Sequence, residues 1–286
     1  MNLVLDRMPD PTATSLKALG SLRRKPAPEV EIPQLSVSLE STGFDAAKLA
    51  AYREICGFPE SGAVPIPYPQ VCAISLQMHL LTQPQFPLPL VGLVHLKNRI
   101  VQERELQPDE KFGLQVGVIG HKNTERGLEF ELQTTVTDAS NLTAWTAVAT
   151  ILHRRKAGES KRKGPPPPSV EDAQLSDYKT IDAPVDIGRR YGRISGDMNP
   201  IHLYPFTAKL LGFDRHIAHG MWTMARCCAL LQPDLGHAPR ELETQFRQPL
   251  FLPARAAMRY QKDEKGFSFR LIGRDSGKTH LTGSLR

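Results

Sequence analysis

Four cysteines are all that 286 residues contain, and Cys56, Cys72, Cys227 and Cys228 show no metal-ligand spacing. Two of them are sequence neighbours, so the expectation is of reduced, buried thiols rather than a disulfide framework. A long apolar run is also missing: no stretch reaches the ~18 residues that a membrane span needs. The opening residues, MNLVLDRMPDPT, carry acids and prolines where an export signal would have an apolar core, and the expected location is the cytoplasm. Aromatic residues make up only 7%, yet 40% hydrophobic residues against 23% charged suffice for one large domain or two modest ones. A basic face is lacking too, despite a net charge of +6. Arg154, Arg155, Lys156, Lys161, Arg162 and Lys163, opposed only by Glu159, place +5 of that charge in one short stretch. The remainder is close to neutral and offers no footprint for nucleic acid. The cluster itself reads as a solvated linker or as an attraction for an acidic partner.

That stretch belongs to RRKAGESKRKGPPPPSV, residues 154–170, where charge, glycine and four consecutive prolines make a stiff connector without core residues. It divides the chain into a flexible segment 1–32, with at most a short helix around Thr14–Leu22, a first domain 33–153 and a second domain 171–286. Each domain has one mostly apolar helical run, Val71–Leu81 and Met221–Leu231, followed by Gln-Pro. In the first, a strand over Ser36–Leu39, a helix over Phe44–Ile55 ending at Gly57 and an extended loop over Pro59–Pro69 precede that run. Strand-like segments follow in both: Val91–Arg99, Phe112–Gly120, Leu128–Thr137 and Ala144–His153, then Glu241–Gln248, Arg255–Lys262, Phe267–Gly273 and Thr279–Leu285. A pattern of helix then antiparallel strands that occurs twice indicates internal duplication. Trp222, Met221 and Met224 read as core residues of the second helix.

Chemistry gathers in Tyr191–Trp222, YGRISGDMNPIHLYPFTAKLLGFDRHIAHGMW. Gly196-Asp197-Met198-Asn199-Pro200 is turn chemistry, placing Asp197 and Asn199 on an irregular loop between two short helices. His202 follows Asp197 by five positions, which a turn folds onto one site. Pro205–Leu211 reads as a short helix ended by Gly212. Gly220 stands where the second apolar helix begins, so its N–H has no intrahelical acceptor and favours negative charge. His219 either supports the loop or shapes the site; His216 and His237 have no partner that the sequence identifies.

Tyr191, Ser195, Gly-Asp-x-Asn-Pro-x-His over Gly196–His202, and Gly220 resemble the signature of the MaoC-like, or (R)-specific enoyl-thioester hydratase, family. The longer context, HLYPFTAKLLGF and HGMW, is most similar to its bacterial double-hotdog 3-hydroxyacyl-thioester dehydratases. The resemblance implies an α+β double hotdog, two copies of a long helix wrapped by an antiparallel sheet. It implies hydro-lyase chemistry on 2-enoyl or (3R)-3-hydroxyacyl thioesters of coenzyme A or acyl carrier protein. It also implies Asp197 and His202 as the catalytic pair, Gly220 as oxyanion donor and Asn199 orienting water or Asp197. Ser195, Tyr191 and His219 are then expected at the substrate, with no metal and no organic cofactor. The expected assembly is a monomeric double hotdog or a homodimer. Many members carry an acid where Tyr204 stands, a departure that bears on packing or substrate choice. The first domain has Pro67–Gln70 in place of a helix-opening glycine and no motif, so it is expected to supply walls without chemistry. A non-catalytic acyl-thioester-binding subunit and a hotdog thioesterase are the alternatives; an intact Asp197/His202 pair favours the lyase.

Overall fold

The structure is a computed structural model that describes residues 2–26, 30–154, 175 and 177–286. Most of the basic, proline-rich connector lies outside the described residues. After an opening strand β1 (Asn2–Leu5) and helix α1 (Pro11–Gly20), the first copy runs β2 (Ser36–Gly43), α2 (Ala46–Cys56), α3 (Tyr68–Cys72), α4 (Ile74–Thr82), β3 (Leu93–Gln102), β4 (Lys111–Thr124), β5 (Gly127–Thr137) and β6 (Thr143–Arg154). The second runs β7 (Asp177–Ala183), α5 (Ile187–Ser195), a 3-10 turn Pro200–His202, α6 (Pro205–Leu210), α7 (Gly220–Leu231), β8 (Glu241–Phe246), β9 (Ala254–Asp263), β10 (Gly266–Gly273) and β11 (Thr279–Leu285).

Among the described residues, eleven strands form one sheet in the order β1-β2-β4-β5-β6-β3-β8-β11-β10-β9-β7. Within each copy the first strand lies outermost, the third, fourth and fifth follow, and the second lies at the seam. Identical topology in the two halves is the duplication made visible. The seam is the antiparallel pair β3–β8, in register from Lys97 opposite Gln245 to Val101 opposite Glu241. Strand alternation sends Asn98, Ile100, Leu242 and Thr244 inward, each fully buried. Lys97 and Arg99 point outward to Glu243 and Glu241, at 2.9 and 2.7 Å. Those ion pairs are solvent-exposed and worth at most about 1 kcal/mol each; the backbone ladder and the buried face hold the seam.

The sequence predicts α2 closely. Asp45 caps it by accepting from the Lys48 N–H, and Gly57 closes it in the left-handed region at φ 73°. The central helix of the first copy begins earlier than predicted, at Tyr68, because Pro69 is tolerated in the first turn, and it is interrupted at Ala73. The described part of the N-terminal segment, expected to be flexible with at most a short helix, carries β1 and α1. β1 adds in parallel to β2. The Arg24 guanidinium donates to the Leu81, Thr82, Gln83 and Leu88 carbonyls at 2.8–3.0 Å, at and beyond the end of α4. Orphan carbonyls at a helix C-terminus attract such a cation, and a composition-based reading cannot see partners nearly sixty residues away.

The two copies also share a core through α7 and α2. Trp222, buried as expected, donates its indole N–H to the Ile55 carbonyl at 3.0 Å. Arg226, the lone charge of α7, donates to the Cys56 carbonyl at 2.7 Å. The single charge in an apolar helix is thus the cap of α2. Arg226→Met should destabilise the chain by about 1–3 kcal/mol, the cost of leaving that carbonyl unpaired. Thermal melts of the variant beside the parent check this, and an unchanged Tm would show that the contact carries no stability.

Candidate active site

The motif is held by α5 on one side and α7 on the other. Along α5, Tyr191 and Ser195 face inward while Arg190 and Arg193 meet solvent. The helix ends at Gly196, whose φ of 81° turns the chain sharply into the loop. Short-range bonds then fix each residue. The Asp197 N–H donates to Ser195 Oγ at 3.2 Å, and the Asn199 N–H donates to Asp197 Oδ1 at 3.1 Å. Asn199 Oδ1 accepts from the Ile201 N–H at 3.3 Å, capping the 3-10 turn that carries His202.

His202 Nδ1 lies 2.9 Å from the Ile217 carbonyl. A carbonyl only accepts, so Nδ1 carries the proton and Nε2 keeps its lone pair. His219, just before α7, is fixed similarly: its Nε2 donates to the Asp197 carbonyl at 3.0 Å and stands 3.7 Å from the carboxylate. The two imidazoles stack, with centroids 3.7 Å apart and planes 24° from parallel. Tyr191, 1% exposed, packs against His219 at 5.0 Å and Tyr52 at 6.3 Å. It therefore supports His219 from within the core. Ser195, also buried, anchors the loop.

Gly220 is the first residue of α7. Glycine is required there because a Cβ would lie 2.9 Å from the Phe246 ring. Gly220 directly follows His219, so the start of α7 adjoins the stacked imidazoles.

Burial sets the protonation states. Crowding by surrounding protein pushes the Asp197 carboxyl up, although 41% of the side chain stays accessible. The His219 and His202 rings, the Asn199 N–H and finally His95 outweigh that and hold it below the ordinary carboxylate range. Burial, and then the neighbouring His219, push His202 well below an ordinary imidazole; Asp197 opposes this without reversing it. Burial lowers His219 as well. The resting site is thus a carboxylate beside two neutral imidazoles. Asp197, His202 and His219 each bring one donor atom within 4.8 Å of the others, a set that also has the composition of a divalent-metal site.

Tyr204 lies outside this group. It is exposed, stacks on Phe206 at 5.7 Å and receives the Arg189 guanidinium over its ring at 4.9 Å. Where an acid would face Arg189 as an ion pair, the aromatic ring makes a cation–π contact. His216 donates through Nε2–H to the Val185 carbonyl at 2.8 Å and serves the scaffold. The residue that sequence reasoning missed is His95 of β3, which from the other copy is the last and smallest of the influences that lower Asp197. Its one signal is a histidine set in the apolar strand LVHLKNRIV.

Among the described residues no helix is long and apolar enough to cross a membrane. Residues 168–283 match the MaoC like domain family. The chain is 32% identical over 269 residues to 3-hydroxyacyl-thioester dehydratase X of Mycobacterium tuberculosis, covering 94% of this chain and 95% of that protein. It is 26% identical over 171 residues to the enoyl-CoA hydratase ChsH3 of the same organism, covering 56% and 60%. The crystal structure of M. tuberculosis HtdX superposes with a TM-score of 0.75 at 31% identity, covering 88% of this chain and 99% of that one. A MaoC-like dehydratase from Phytophthora capsici, 18% identical, shares the fold with a TM-score of 0.72 over 90% of this chain and 97% of its own. Taken with the two-copy sheet and the loop of Asp197 and His202, these likenesses establish that the chain is a double hotdog belonging to the MaoC-like dehydratase family.

Proposed function

We propose that the chain is a 3-hydroxyacyl-thioester dehydratase, a hydro-lyase that interconverts 2-enoyl and (3R)-3-hydroxyacyl thioesters of coenzyme A or acyl carrier protein. The observation that carries this reading is the fixed tautomer of His202. Its Nε2 lone pair and the Asp197 carboxylate both accept hydrogen bonds, so one water can donate to each at once. The residues 171–286 would hold this chemistry, and residues 33–153 would form the other wall.

In the hydration direction the water oxygen bonds to C3 as the C2=C3 electron pair moves towards the thioester. The negative charge reaches the thioester oxygen, where the Gly220 N–H and the start of α7 stabilise it. The proton lost by water goes to His202 Nε2, and Asp197 steadies the transient imidazolium. Collapse of the enolate takes that proton onto C2 and returns His202 to its neutral form. One water has been added and every group is restored. Dehydration runs the same steps backwards, with Nε2 removing the C2 proton. Asn199 holds Asp197 through its N–H, and the stacked His219 holds the loop through the Asp197 carbonyl. The cycle uses no metal or organic cofactor. A binding subunit would have no use for a locked, buried neutral base, and thiol release is the signature of the thioesterase alternative.

Asp197→Asn and His202→Ala should each lower kcat/KM for enoyl-thioester hydration by about a hundredfold or more. The double variant should be little worse than either, because the two act on one water. Both groups work deprotonated, so activity falls as pH drops. Because His202 and Asp197 are both lowered, that fall should begin below the ~6.5 of an ordinary imidazole. Initial rates between pH 5 and 8 read both expectations. A midpoint at or above that ordinary value, or near-normal turnover by either single variant, would remove the mechanism.

A further inference from the structure

The copy without the motif is not inert at the site. His95 lies on β3, at the point where the β3–β6 register shifts between His95 and Lys97. Such an irregularity re-aims a side chain relative to regular alternation. It sits next to the seam register that begins at Lys97, on the side from which the end of β8 approaches. Its ring is 4.9 Å from that of Phe246, tilted 53°. Phe246 in turn is the ring that a Cβ on Gly220, at the start of α7, would meet at 2.9 Å. His95, Phe246 and Gly220 therefore form a continuous wall, and the Asp197 carboxylate is near enough to feel the imidazole.

One property distinguishes this histidine from His79 and His121 of the first copy. His79 and His121 have partners for Nε2, in Gln83 and Glu31. His95 Nε2 is buried and has no hydrogen-bond partner among the described residues. Leaving a buried polar nitrogen unpaired costs about 1–3 kcal/mol, and such a group in a native fold is met by an ordered water or by a ligand. Burial also pushes His95 down to about 4, against smaller opposing effects of the Lys97 backbone, Asp197 and Asn98, so the ring is neutral at working pH. A neutral imidazole beside a carboxylate binds a polar ligand without competing for the Asp197 charge.

We propose that His95 is a substrate-binding residue, whose Nε2 hydrogen-bonds the thioester head of the bound acyl group against the Phe246–Gly220 wall. The active site is then built from both copies, and the first contributes a polar contact in addition to apolar walls. This rests on the dehydratase reading, and the test separates the two. The measurements are steady-state hydration of crotonyl-CoA, competitive inhibition by butyryl-CoA, which cannot react, and thermal melts, on the full chain.

In His95→Leu, KM for crotonyl-CoA and Ki for butyryl-CoA should both rise about tenfold, the loss of one hydrogen bond to a buried partner, with kcat changed less. His95→Gln, which keeps an amide at similar reach, should recover most of that loss. Tm of His95→Leu should hold or rise, since an unpaired polar group is removed. If His95→Leu does not fold, His95→Met takes its place in the comparison. A variant that folds and binds butyryl-CoA like the parent, while the parent hydrates crotonyl-CoA, would overturn the role of His95 alone. A parent that binds butyryl-CoA but hydrates nothing would overturn the dehydratase reading and leave the binding assignment to the Ki comparison.

Discussion

The carbonyl of Ile217 is the fixed point of the site. It accepts the Nδ1 proton of His202, and the Ile217 N–H donates back to the Ile201 carbonyl at 3.0 Å. Two segments that the chain separates by fifteen residues are thereby tied on both sides. The Ile217 segment is itself held by an isolated bridge to Phe251 and by bonds between Ala218 and Leu250 and between Leu252 and His216. Were that carbonyl to move, His202 could adopt the other tautomer, and Nε2 would become a donor unable to take a proton from water. The proposed chemistry depends on a backbone position that the surrounding β-structure holds by hydrogen bonds.

Duplication explains how such a site can be carried asymmetrically. Both copies need a central helix buried under a five-stranded sheet, and both keep it. Only the second keeps the loop between its first helix and its central helix as Gly-Asp-x-Asn-Pro-x-His. In the first, the corresponding stretch is tied down by Arg53, which donates to the Glu60, Gly62 and Ala63 carbonyls, and by Trp145, which donates to the Ile66 carbonyl at 2.8 Å. That loop is packed as structure. The seam between β3 and β8 then brings the inward faces of both copies into one core, so that Asn98 of one strand and Thr244 of the other both reach the Met224 sulfur of α7.

The chemistry was legible because it is local. Asp197, Asn199 and His202 lie within six positions, and turn residues leave few ways to fold them. Gly220 was legible from the apolar helix behind it. The sequence marked nine strands and missed the two at the ends of the sheet, β1 and β7, the latter with Tyr178 exposed and only Ile181 and Ala183 buried. What the sequence did not show are contacts between distant positions. The order of the N-terminal segment rests on Arg24 meeting carbonyls of residues 81–88. Tyr191 is a core support for His219 because Tyr52, from the other copy, closes over it. His95 reaches the site through the seam, and no spacing within the chain announces a register between β3 and β8. The Ala73 interruption has no signal in the side chains around it.

The account's central claim is that one water, held by Asp197 and His202, reaches one face of an acyl group whose thioester oxygen is fixed at Gly220. The most direct test is hydration of crotonyl-CoA in deuterium oxide, followed by chiral analysis of C3 and assignment of the deuterium at C2. The account predicts the (3R) product with deuterium and hydroxyl delivered to the same face. A (3S) product, or addition to opposite faces, would contradict it.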